Sequence, residues 1–115
     1  MTIKELVEQA HKTAKEHGFW DDVIEMCEAL YDDDEMLSQY INRVVGCDLM
    51  LIVSELGEAV EAWRKADRDN FVEEMADVFI RSGDLIGFLR LDLEQAIIDK
   101  MAKNEKRPYK HGKEF

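Results

Sequence analysis

Two pairs of carboxylates three residues apart, Glu55 with Glu58 and Glu74 with Asp77, stand in stretches that are otherwise largely apolar. Three residues make nearly one helical turn, so each pair projects from one side of a helix and can aim its oxygens at one point. Leu51, Leu56, Ala59 and Ala62 put Glu55 at the edge of an apolar stripe, and Asp77, Arg81 and Asp84 continue the polar stripe that begins at Glu74. A carboxylate in such a place is costly unless it is paired or metal-bound. Two helices that present oxygens alone make a cage suited to Mg²⁺, with Mn²⁺ as a substitute. Downstream, Lys100 to Lys113 is a basic segment, and a cation facing positive side chains is an arrangement that holds a polyphosphate.

The spacing alone is weak evidence, because a chain with 26 acids makes it often, as at Glu5/Glu8, Glu25/Glu28 and Glu58/Glu61. The competing arrangement is a helical bundle in which these acids form ion pairs with Arg64, Arg81 or Lys100. Against it, four acids on consecutive helices joined by a short turn outnumber the nearby bases, and like charges packed so closely need a cation. Asp48, two turns before Glu55 on the same face, is a further acceptor. A di-iron bundle would ask for two Glu-x-x-His motifs, and only Glu8/His11 fits. His11, His17 and His111 are too scattered for a zinc set.

The elements that must position these acids are helices. One proline in 115 residues and few glycines leave none of the punctuation that an all-β chain needs. Ile3, Leu6, Val7, Ala10 and Ala14 form the stripe of a first helix that stops at Gly18. A second runs from about Asp21 to Leu30. Asp32-Asp33-Asp34-Glu35 is an exposed turn or the acidic start of the next helix, which spans about Met36 to Lys65 and carries the first acid pair. The chain breaks at Ala66 to Asp69, and Asn70 with Glu73 resembles a capping box opening a helix to about Leu89. Asp92 with Gln95 caps the last, which runs to about Asn104 before Arg107-Pro108-Tyr109. The expectation is one all-α domain over residues 1–115, a bundle of four to five helices. The helix from Phe71 to Leu89 is apolar on most of its circumference, which predicts that the bundle is completed by homo-oligomerisation.

A net charge of −11 argues against a nucleic-acid polymer or an anionic membrane surface as the main partner. The balance is uneven: residues 100–115 carry six Lys or Arg against Glu105 and Glu114, a net of +4, which leaves −15 for residues 1–99. An acidic body with a basic end suits a metal-bound anion. Cys27 and Cys47 lack metal-ligand spacing and read as small core residues of a reducing compartment. With neither a signal-like apolar run at the start nor a membrane-span pattern, the expected location is cytoplasmic. Trp20, Trp63 and Phe19 read as core aromatics rather than as base-stacking residues.

Glu55-x-x-Glu58, fifteen intervening residues, Glu74-x-x-Asp77, then Lys100, Asn104, Arg107, Pro108, Tyr109, His111 and Gly112 resemble the MazG-like all-α nucleoside triphosphate pyrophosphohydrolases over about Leu49 to Gly112. The resemblance implies dimers or tetramers that cleave a (d)NTP to the monophosphate and pyrophosphate with Mg²⁺. It implies that Glu55, Glu58, Glu74 and Asp77 are metal ligands and that Lys100, Asn104, Arg107 and Tyr109 contact the substrate. In such a site Glu55 or Glu58 accepts the proton of the attacking water. The competing function is a non-enzymatic acidic helical module that binds or regulates partner helices.

Overall fold

Four aspartate and threonine side chains decide where the chain turns into helix. In the computed structural model, which describes residues 1–115, the helices are α1 (Ile3–Glu16), α2 (Asp21–Ala29), α3 (Asp34–Arg64), α4 (Arg68–Leu89) and α5 (Leu93–Glu105). A 3₁₀ turn, Tyr109–Gly112, follows, and there is no strand. Thr2 and Glu5 cap α1 reciprocally, each side chain accepting the other's backbone N–H at 3.0 Å. Asp33, Asp67 and Asp92 each accept a backbone N–H three residues on, at 3.0 to 3.1 Å. Asp33 is thus the cap of α3, with Asp34 and Glu35 in its first turn, so the acidic run serves the helix dipole. Gly18, at φ +83°, reverses the chain after α1.

One boundary differs from the sequence reading. Asn70 does not open α4; Asp67 does, accepting from Asn70's own N–H, and Asn70 lies inside the first turn. Both residues are good caps, and the tight three-residue connection after α3 leaves the earlier one in the non-helical position.

The two long helices form an antiparallel hairpin. Trp63 meets Phe71 near the turn with ring centroids 5.1 Å apart, Glu55 meets Arg81 further along, and Asp48 and Asp84 line one cavity further still. Ala59 and Ala62 on α3 are fully covered. On its other side α4 meets α1, and two glycines let the backbones close. A Cβ on Gly87 would stand 2.6 Å from the Cβ of His11, and one on Gly83 would stand 3.5 Å from the Cα of Val7. Trp20 anchors the start of α2 by stacking on Phe88 at 4.2 Å and is 4 % exposed. The helix α5 rests on α1, where Glu94 accepts the backbone N–H of Lys4.

So α4 finds partners on two sides within its own chain, more than the sequence suggested. Large apolar side chains nevertheless stay open: Val53 and Leu56 on α3, Val72 and Phe79 on α4, Ile98 and Met101 on α5. The radius of gyration is 17.2 Å, against roughly 13 Å for a compact chain of this length. Trp20 is core as expected, whereas Trp63 is half exposed under the guanidinium of Arg68, 3.4 Å from its ring centre, and Phe19 is exposed. No helix is long and apolar enough to cross a membrane.

Candidate functional site

The hairpin register brings the middle of α3 opposite the first half of α4. There, carboxylate oxygens of Glu55, Glu74 and Asp77 lie within 4.8 Å of one another. Glu55 and Glu74 are half-buried and Asp77 is exposed, so the cluster sits at the lip of the groove rather than inside a closed core. Glu58, one turn along α3, is exposed and stands outside this set, although its charge reaches Glu74.

The crowding has an electrostatic consequence. The carboxyl of Glu74 is held above the ordinary glutamate range, first by desolvation, then by a hydrogen bond with Glu55, and by the charges of Glu55, Asp77 and Glu58. Such a cluster favours holding a proton or a cation. One base answers it: Arg81, one turn beyond Asp77, donates its Nε–H to Glu55 at 2.8 Å. This is one of the ion pairs weighed against the metal reading, and it engages a single oxygen of a single acid. Three further acids remain without such a partner.

The donor set is oxygen throughout. Neither cysteine nor any histidine joins it, and both thiols are free. The residues therefore fit Mg²⁺ or Mn²⁺ and not zinc or copper. His11, the one histidine at Glu-x-x-His spacing, is committed elsewhere: its Nδ1 lies 2.9 Å from Asp84 Oδ1, which also accepts the indole N–H of Trp20 at 2.8 Å. Asp84 lies on the polar stripe of α4 that the sequence shows, but its partners come from 73 and 64 residues away, beyond the reach of any local pattern.

A cavity of about 730 Å³ opens beside the cluster, between α1, the start of α2, α3 and α4. Glu55, Asp77 and Arg81 line one end, Trp20, Val23 and Val44 the other. Its size is that of a small-molecule site. A groove of about 800 Å³ between α1 and the α4–α5 turn has mixed charge and none of the clustered carboxylates.

Asp48 also lines the cavity and makes no hydrogen bond or ion pair. Its carboxyl is pushed up by burial and by the charge of Asp84, and pulled down less by Arg81. The sequence placed it near the cluster as an acceptor, and its place is one step deeper.

The basic residues are located differently. Lys100 and Asn104 are on α5, Arg107 and Tyr109 just after it, and none lines the cavity. Lys100, Arg107 and Tyr109 are exposed, while the side-chain oxygen of Asn104 is buried with no hydrogen-bond partner. Within one chain α5 is held by α1, and none of its cations pairs with the carboxylates.

A family model described as a MazG nucleotide pyrophosphohydrolase domain matches residues 49–111, more than half of the chain. That span holds both acid pairs and the basic segment. No curated protein and no solved structure matches the chain.

Proposed function

Because the chain belongs to the MazG nucleotide pyrophosphohydrolase family, we propose that it hydrolyses a (deoxy)nucleoside triphosphate between the α and β phosphates, releasing the monophosphate and pyrophosphate. The convergence of Glu55, Glu74 and Asp77 within 4.8 Å, inside the matched span, is the observation that carries this reading.

Glu55, Glu74 and Asp77 are the residues that would hold a divalent cation, with Glu58 adjoining them. When bound, Mg²⁺ supplies Lewis-acid withdrawal of charge from the phosphate oxygens and lowers the pKa of a coordinated water. A triphosphate is repelled by an acidic surface until that charge is answered, and a bound cation would answer it here. Glu55 is fixed by its bond to Arg81, which leaves fewer of its lone pairs free. Glu58 carries no such bond and is exposed, and it is the better acceptor for the proton of the water that attacks the α-phosphorus. In-line attack then expels pyrophosphate, whose growing charge Lys100 and Arg107 stabilise, Arg107 through its planar fork. Asn104 and Tyr109 contact the same substrate.

Those last four residues need a route to the carboxylates, and self-association supplies it. The elongated chain leaves apolar side chains on α3, α4 and α5 uncovered, and a homodimer or homotetramer that covers them sets the basic end of one copy near the acids of another. A cytoplasmic location, where free nucleotides and reduced thiols coexist, belongs to the same reading. Incubation with a panel of (d)NTPs and Mg²⁺, with products identified by mass, tests the reaction. Monophosphate and pyrophosphate in equal amounts are expected. Diphosphate with orthophosphate, or no product from any nucleotide, would overturn it and favour a module that only binds.

A further inference from the structure

The cavity beside the carboxylates has a second pair of acids at its far end, and the hairpin explains why. Asp48 precedes Glu55 by seven residues on α3, and Asp84 follows Asp77 by seven on α4. Seven residues are two turns, or about 10 Å along a helix. Since the helices run antiparallel, both steps go the same way, so the two acids form a second layer below the first. All four line the one cavity. The step is of the size that separates a nucleotide's α-phosphorus from the far edge of its base.

The second layer differs from the first in what surrounds it. Asp84 Oδ1 is held by Trp20 Nε1 and His11 Nδ1, and Trp20 is itself locked against Phe88. Its Oδ2 makes no bond, and Asp48 makes none with either oxygen. Trp20, Val23, Val44 and Phe19 supply apolar walls beside these oxygens. An ionised carboxylate only accepts hydrogen bonds. A half-buried pair of them, one rigidly oriented, is therefore a preorganised receptor for a group that donates two N–H bonds from the edge of a flat ring.

We propose that this end of the cavity selects nucleotides whose base carries an amino group opposite the sugar, cytosine or adenine, with Asp48 and Asp84 accepting its hydrogens. The proposal rests on the pyrophosphohydrolase reading and adds the substrate class to it. Cytosine and uracil are nearly isosteric and differ there by a donor against an acceptor. A carboxylate facing the uracil oxygen leaves two acceptors in opposition, which a polar site rejects far more strongly than an apolar one rejects a change of size.

The experiment compares kcat/KM for dCTP against dUTP and for dATP against dITP, in the wild type and in Asp48→Asn, with Mn²⁺ affinity measured on both proteins. Asparagine keeps the shape but offers a donor as well as an acceptor. The wild type is expected to favour the amino member of each pair by about tenfold or more, and Asp48→Asn to narrow both ratios severalfold with Mn²⁺ affinity unchanged. Equal or better use of dUTP and dITP by the wild type, or ratios unmoved in the variant, would overturn the base assignment alone. A fall in Mn²⁺ affinity in Asp48→Asn would also overturn it, by making Asp48 a metal ligand. Turnover of no nucleotide at all would reject the hydrolase reading and the base assignment together.

Discussion

Glu55 is the residue on which two demands meet, because it belongs to the carboxylate cluster and also receives the Arg81 guanidinium at 2.8 Å. Removing Arg81 would relieve the cluster of its one positive neighbour while freeing Glu55 to rotate. Arg81→Ala is accordingly expected to bind Mn²⁺ as tightly as the wild type or more so, while kcat falls about tenfold or more. Weaker Mn²⁺ binding with normal kcat would show that Arg81 serves the metal site rather than the orientation of Glu55.

Asp48 makes a separate test possible through pH. Burial and the charge of Asp84 on α4 raise its pKa against the weaker opposite pull of Arg81, and Gln9, Thr13 and His17 of the α1 end face the same cavity. A folded pKa above the unfolded one means that the folded state binds the extra proton. Stability then falls as pH rises from the ordinary aspartate value through the raised one, and is level beyond. Asp48→Asn should therefore melt with the wild type at the acid end and above it at neutral pH. Coincident melting curves at both would show that Asp48 titrates normally.

At the scale of elements, the crossing of α1 on α4 depends on glycine. The Cβ of His11 cannot swing aside, since it is fixed to its own backbone, so a methyl group at Gly87 forces the helices apart. Gly87→Ala is expected to cost about 1–3 kcal/mol of stability. Gly83→Ala meets only ordinary contacts, and alanine's better helix propensity, worth about 1 kcal/mol, offsets them. Chemical denaturation of the two variants separates these outcomes; equal midpoints would mean that α1 does not pack here.

Helix ends and apolar spacing are local properties, which is why the five helices and the cap at Asp92 could be read from the residues themselves, while the acidic run at 32–35 left open which aspartate caps α3. Asn70 has the chemistry of a cap, but Asp67 offers the same chemistry three residues earlier and takes the position. The acid pairs were legible as pairs, and the meeting of Glu55 with Glu74 and Asp77, though not of Glu58, followed from a short connection between long helices. Nothing local announced the Asp84–His11–Trp20 bonds, which exist only because α1 and the start of α2 fold back on α4. The basic residues were recognisable by type but not by position, since the docking of α5 is decided by α1.

For the whole molecule, shape and surface composition point the same way. Six residues are buried in a chain of 115, and the radius of gyration exceeds that of a compact chain. A protein with Val53, Phe79 and Met101 open to water gains by covering them with a second copy. Light scattering is expected to give two or four times the 13.4 kDa chain mass, and Val53→Glu with Phe79→Glu to shift it toward one. A wild type that stays at the single-chain mass at high concentration would remove self-association, and with it the route that brings α5 to the carboxylates.

Whether the acids of the hairpin hold a divalent cation is answered most directly by titrating Mn²⁺ into the wild type, Glu74→Gln and Asp77→Asn while following the free ion by electron paramagnetic resonance. Saturable binding by the wild type that weakens about tenfold or more in each variant, with helical content preserved, is the expected result. Equally weak, non-saturating binding by all three proteins would contradict it.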